Sequence, residues 1–254
     1  MLELSLFSQI PYQRHGQVLK LLAGIAAMAP VNTLERHIIH KPVRQAHRAS
    51  TQLGASQGIQ DAQKAGRQGQ TQAGGDIYYL RLVEDLAYEG VDWERGAKLA
   101  QEAAMTKADE AGRWSLRFYD VPEAGRRSVM ARTTSATPIQ QGDAFAFMKG
   151  LGYQAVYEYV VQGQQFVHNN VVLHLHRAMS ATNSQNHDAD YPRDLLPVDE
   201  SGAYILHAYV RVQDGTVPDV VSKGTAELMQ LKELLRGAID LRVVDRLSLD
   251  TRVK

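Results

Sequence analysis

The chain of 254 residues contains no cysteine. Disulfide scaffolds, cysteine zinc fingers, iron–sulfur ligation and thiol catalysis are therefore excluded. A charge surplus is missing too: 28 Lys and Arg face 28 Asp and Glu, for a formal net charge of +0. A protein that held DNA or RNA by bulk charge would need excess cations to neutralise phosphates. Direct nucleic-acid binding is therefore not expected, and only a local basic patch stays open. Long apolar runs are also absent. The longest, Val18 to Pro30, is interrupted by Lys20 and is too short to cross a bilayer, so no membrane role is expected. The N-terminus carries Glu3 and no basic region ahead of an apolar one, which reads as no secretory signal. These absences point to an intracellular protein, and 44% hydrophobic residues is ordinary for a globular chain.

Apolar periodicity marks the elements. Val18, Leu21, Leu22, Ile25 and Met28 recur at helical spacing, which predicts a helix from Tyr12 to Met28 ended by Pro30. Asn32 to Lys41 reads as a strand closed by Pro42. From 43 to 76 Gln, Gly and Ala dominate and large apolar residues nearly vanish, as expected of a mobile insertion that cannot offset its ordering entropy. Ile77 to Val83 is strand-like. The stretch 92–111, rich in Ala, Lys and Glu, reads as an exposed helix or a second mobile insertion. Trp114, Leu116 and Phe118 alternate with Ser115 and Arg117 in the clearest strand, and Arg127 to Thr134 returns beside it. A short helix follows at Gln141 to Leu151. Tyr153 to Val161 and Gln165 to Arg177 read as two strands joined by a turn at Gln162-Gly163-Gln164. The stretch 180–200 reads as a third insertion. Tyr204, Leu206, Ala208, Val210 and Val212 share one face of a long strand, Asp219 to Gly237 is the best helix, and 241–244 and 247–253 end the chain as alternating strands. Some nine or ten strands in hairpin order predict a mainly β (α+β) fold: a single antiparallel, multi-stranded β-barrel with peripheral helices spanning 1–254.

Few motifs carry chemistry. No P-loop, dinucleotide glycine fingerprint, nucleophile elbow, HExxH or EF-hand pattern occurs. His174 and His176 lie two apart on a strand and point the same way, and with His207 they would supply three imidazoles to a metal. No further ligand is fixed by spacing, and rim histidines are the ordinary reading. His37 and His40 face opposite sides of a strand. Glu35 and His37 share a face with nothing nearby to complete a site. Arg126-Arg127 after Gly125 would suit a phosphate but reads as a charged turn. The apolar stripe of the C-terminal helix reads as core packing. No catalytic, cofactor-binding or metal-ligating residue is assigned, and no cofactor is expected.

Motifs in order along the chain carry a resemblance. Glu3-Leu4-Ser5-Leu6-Phe7 leads through Pro11, His15 and Val18-Leu19 to Leu34-Glu35-Arg36-His37 and Lys41-Pro42. Trp114-Ser115-Leu116-Arg117, Pro122-Glu123 and Gly125-Arg126-Arg127 follow. Then come Phe147-Met148, Gly150-Leu151-Gly152-Tyr153, Tyr157-Glu158-Tyr159 and Gly163-Gln164-Gln165-Phe166. The last block runs Leu231-Lys232, Leu234-Leu235, Gly237, Asp245 and Leu249-Asp250-Thr251-Arg252-Val253. Together these resemble the subunit 18 family of the Mediator complex of RNA polymerase II transcription, in its filamentous-fungal form. The resemblance implies a many-stranded barrel in the head module that pairs with subunit 20, receives a C-terminal helix of subunit 8 and contacts other head-module subunits. It implies a non-catalytic coactivator scaffold in the nucleus, linking gene-specific regulators to the polymerase and the general factors. Tyr119, Tyr157 and Tyr209 are candidate interface anchors on barrel strands.

The implied barrel also resembles that of the triphosphate tunnel enzymes, which supplies the alternative reading, a metal-dependent enzyme. Those enzymes need Glu-x-Glu on inward-facing strands to hold a divalent metal, with several inward Lys and Arg. Here Glu35-x-His37 and a lone Glu158 stand instead, so the expectation is a barrel without that equipment.

Overall fold

The computed structural model describes residues 1–43, 77–86, 114–125, 127–181 and 195–253. Nine strands occur among them: β1 (Leu2–Ile10), β2 (Val31–Pro42), β3 (Leu80–Asp85), β4 (Trp114–Tyr119), β5 (Met130–Ile139), β6 (Tyr153–His168), β7 (Val171–Ala181), β8 (Leu195–Pro197) and β9 (Tyr204–Val212). Three helices accompany them: α1 (His15–Ala26), α2 (Ala144–Gly150) and α3 (Pro218–Leu234). The strands hydrogen-bond in the order β6-β2-β3-β4-β5-β1-β9-β7-β8, and β6 also pairs with β7. Eight strands thus close into an antiparallel barrel, with β8 appended to β7, as the sequence predicts. Closure leaves no long edge for another strand to join.

The two faces of this barrel have exchanged their usual chemistry. Alternation gives each strand one inward and one outward set of side chains. On β9 the set Tyr204, Leu206, Ala208, Val210 and Val212 is buried on the outside, with Leu2, Leu4 and Leu6 of β1 and Leu173 and Leu175 of β7. Val18 and Leu22 of α1 and Leu228 and Leu231 of α3 pack on the same cluster. A second cluster, Ile38, Leu82, Ala144 and Met148, lies under α2. The hydrophobic core therefore sits between barrel wall and helices, where each fully buried aliphatic side chain contributes about 1.5–3 kcal/mol. The interior is polar.

Three expectations need correction. The Gln162-Gly163-Gln164 stretch is not a turn. β6 runs unbroken through it, and the chain reverses at Asn169, in the left-handed region at φ 54°, between the paired residues His168 and Val171. Glycine stands at 163 for space: a Cβ there would lie 2.5 Å from the Leu175 carbonyl oxygen and 2.6 Å from the His176 Cβ. The stretches 241–244 and 247–253 are not strands. They make single bridges, Arg242 to Phe7 and Arg252 to Tyr78, around a 3-10 turn at Arg246–Leu249. Within 180–200, Leu195–Pro197 forms β8. The rest of the insertion readings at 43–76, 92–111 and 180–200 falls almost wholly outside the described residues, as does Arg126.

The close approach at Gly163 generates a test. Gly163→Ala is expected to destabilise the fold by about 1–3 kcal/mol, because β6 and β7 must separate. Gly24→Ala, at an exposed position of α1 with nothing within 4 Å of its added Cβ, is expected to stabilise by about 0.5–1 kcal/mol through helix propensity. Urea midpoints of the two variants, moving in opposite directions, are the measurement.

Candidate functional site

The barrel encloses a cavity of about 1200 Å³. Its centre is built on β1. Glu3 is opposite Arg132 of β5 on one side and opposite Arg211 of β9 on the other. The Glu3 side chain has essentially no solvent exposure and accepts from Arg132 at 2.7 and 2.9 Å and from Arg211 at 3.2 Å. A buried carboxylate costs several kcal/mol unless it is paired and hydrogen-bonded, and the two guanidiniums meet that demand.

A second cluster lies on β2 and β4. Arg117 forks onto Glu35, with Nη2–Oε1 at 2.7 Å and Nη1–Oε2 at 3.1 Å, and His37 Nε2 lies 3.0 Å from Glu35 Oε2. Burial pushes the Glu35 carboxyl up, but hydrogen bonds from His37 and Arg117 outweigh it and hold it well below the usual carboxylate range. Burial pushes His37 down against the opposing pull of Glu35. The imidazole is thus neutral, donating from Nε2 and leaving Nδ1 buried without a partner.

Histidines and tyrosines fill the remaining wall. His174 and His176 stack with ring centroids 4.4 Å apart, and His207 stacks on Phe7 at 4.5 Å. His174 Nε2 meets Thr33 Oγ1 at 2.9 Å. Burial, reinforced by the neighbouring His176, pushes His174 down to about 3. Burial also lowers His176 and His207. Arg81 and Arg132 lie over the Tyr119 ring at 4.8 and 4.6 Å, and Arg211 over Tyr209 at 4.7 Å, as cation–π contacts.

The structure separates the sequence candidates. Glu35 and His37 do meet, and Arg117 completes their cluster. His174, His176 and His207 all face the cavity, yet no group of three or more His, Cys, Asp or Glu side chains among the described residues is placed to hold a metal. His40 is buried with Nδ1 3.1 Å from the Ile38 carbonyl, away from the cavity lining. Glu158 is outside the lumen, paired with Arg36 at 2.8 Å. Arg127 forms an exposed pair with Glu123. Tyr119 and Tyr209 are corrected as interface anchors: both line the lumen. Tyr157 alone of the three is exposed, at 53%. The residues sequence reasoning missed are Glu3, Arg81, Arg132 and Arg211. Their signal is the strict alternation Leu2-Glu3-Leu4-Ser5-Leu6, which marks β1 as a two-faced strand.

Folding here depends on keeping these histidines neutral. The folded protein holds them below their unfolded value of about 6.5, so the unfolded chain binds more protons once pH falls under that value. Stability is complete above about pH 6.5 and declines as pH drops toward the folded values, with Glu35 adding a further loss below about pH 4.3. His174→Gln, which can keep the bond to Thr33, is expected to flatten the slope of unfolding free energy between pH 6 and pH 4 by up to about 1.4 kcal/mol per pH unit. Urea titrations across that window test it, and an unchanged slope would contradict the neutral-histidine reading.

Comparison with known proteins places this fold. Residues 2–252 match the family model described as Med18 protein. The Mediator of RNA polymerase II transcription subunit 18 of Neosartorya fischeri and that of Aspergillus fumigatus are each 34% identical over 268 residues, covering 99% of this chain and 99% of theirs. Among solved structures, a chain of the Schizosaccharomyces pombe Mediator head module aligns with a TM-score of 0.68 at 19% identity, covering 96% of this chain and 99% of that one. The chain belongs to the Med18 family, that of subunit 18 of the Mediator of RNA polymerase II transcription.

Proposed function

We propose that the chain is a non-catalytic subunit of the Mediator head module, acting in the nucleus as part of a coactivator scaffold between gene-specific regulators and RNA polymerase II. The observation that carries this reading is family membership across residues 2–252, with relatives named as Mediator subunit 18 aligned end to end. Its partners are other head-module subunits, and in particular subunit 20 and the C-terminal helix of subunit 8. The whole chain is read as one barrel domain from which the insertions at 43–76, 92–111 and 180–200 depart.

The chemistry of the lumen supports a scaffold over the enzyme alternative. The two carboxylates set into the lumen wall, Glu3 and Glu35, are already engaged by guanidiniums. A divalent metal would have to displace those cations, and the surplus of arginine repels it. On the outside, Phe147 of α2 and Leu151 just after it are each about half exposed, and an aromatic anchor of this kind is common at protein interfaces.

Co-expression of the full chain with subunit 20 and with a C-terminal peptide of subunit 8 is the decisive experiment. Retention of both through size exclusion in mild salt is the expected result, and loss of both would sink the reading. In parallel, a divalent-metal triphosphatase assay is expected to show no turnover. Turnover that disappears in Glu35→Ala would establish the enzyme instead.

A further inference from the structure

We propose that the barrel lumen is a binding site for a small, multiply charged oxyanion of the phosphate type. The argument begins with charge. Arg81, Arg117, Arg132, Arg177 and Arg211 line the cavity against three carboxylates, Glu3, Glu35 and Asp199, while Arg242, also of the lining, pairs with Asp240. Glu3 is shared by two guanidiniums and Glu35 is forked by one. Arg81 has a ring contact with Tyr119 and no carboxylate partner among the described residues. Two positive charges inside the wall are therefore uncompensated by protein. The remaining carboxylate of the lining, Asp199, is exposed to solvent.

Enclosed cations without counter-charge are unfavourable, and an anion in the lumen relieves that cost directly. Guanidinium forks match the oxygen spacing of phosphate groups and bind them in pairs, which favours a phosphate-type oxyanion over a halide. A surplus of two charges selects a dianion or a more highly charged species. The cavity volume of about 1200 Å³ leaves ample room for such an ion.

A second observation points the same way. The Ser5 hydroxyl, His37 Nδ1 and His207 Nε2 are buried with no hydrogen-bond partner. His37 and His207 line the cavity, and Ser5 shares their inward register, between Glu3 and Phe7 on β1 and opposite Tyr209. Buried polar atoms are nearly always satisfied. Ser5 donates as it stands and either imidazole donates once protonated, so the lumen wall carries donors beyond its guanidiniums that are left without an acceptor.

Calorimetric titration of the full chain with inorganic triphosphate and with pyrophosphate, free of divalent metal, tests the proposal. Sodium chloride at matched ionic strength is the control. Saturable one-to-one binding is expected for the phosphates and none for chloride. Arg81→Ala removes a guanidinium without leaving a carboxylate unpaired and is expected to weaken binding roughly tenfold or more, about 1.4 kcal/mol. Arg81→Lys, which keeps the charge and loses the fork, falls between. Arg236→Ala, at an exposed pair beyond α3, leaves affinity unchanged. Circular dichroism and a melting curve establish that each variant is folded; should Arg81→Ala unfold, Arg81→Lys alone carries the comparison. No saturable heat at millimolar phosphate, equal binding by the folded Arg81 variants, or an equal loss in Arg236→Ala would each overturn the proposal.

Discussion

Glu3 accepts hydrogen bonds from Arg132 and Arg211 across two strand pairs at once, and this contact sets the register of the barrel where β5, β1 and β9 meet. A slip of one residue in either pair would turn every side chain of the strand to the opposite face. It would place Leu2 or Leu4 among arginines and move Glu3 under the apolar faces of α1 and α3. The ion cluster contributes little net stability, because desolvation offsets most of the Coulomb gain. Its worth is discrimination: the correct register has all its charges paired, and the wrong ones have them bare. Glu35, with Arg117 and His37, plays the same part on the far wall.

A polar lumen moves the source of stability outward. Small barrels commonly fill their interior with side chains that form the core. Here the apolar residues of β1, β7 and β9 face away from the lumen, and they are buried only because helices lie over them. α1 and α3 cover one side and α2 covers another with Ala144 and Met148. The helices are thus half of the core rather than ornaments on a finished barrel. Pro218 at the first turn of α3 and Asp143 capping α2 start these covers at defined points.

This inversion explains what the sequence discloses and what it hides. Alternation on Trp114–Tyr119 and Tyr204–Val212 is legible, since period two is independent of which face is buried. Barrel closure follows from strand order. The direction of each face is not legible: Tyr119 and Tyr209 read as exposed aromatics, whereas they stand inside among arginines. Gly163 reads as a turn because glycine usually supplies freedom there, yet its role is close contact between β6 and β7. The segments on either side of the 3-10 turn at Arg246–Leu249 alternate like strands and make only isolated bridges, at Arg242 and Arg252. Among candidate residues, Glu35 and His37 are found by their spacing. Arg132 and Arg211 are hidden because their partner, Glu3, is more than a hundred residues away in sequence.

The same inversion connects the fold to the proposed role in a large assembly. A barrel with an apolar interior can be self-sufficient and present an evenly polar outside. A barrel with charge inside must carry its apolar surface outside, strand after strand, and every uncovered stretch is a place for a further helix to lie. Three helices of this chain already use that mode on the described wall. A partner helix would add one more layer of the same kind, anchored by apolar residues in a groove with a polar rim. The lumen then serves a separate purpose. Its charges are shielded from partners by the barrel wall, so lumen chemistry and outer-surface recognition can vary independently, which suits a scaffold whose outside is reserved for protein contacts.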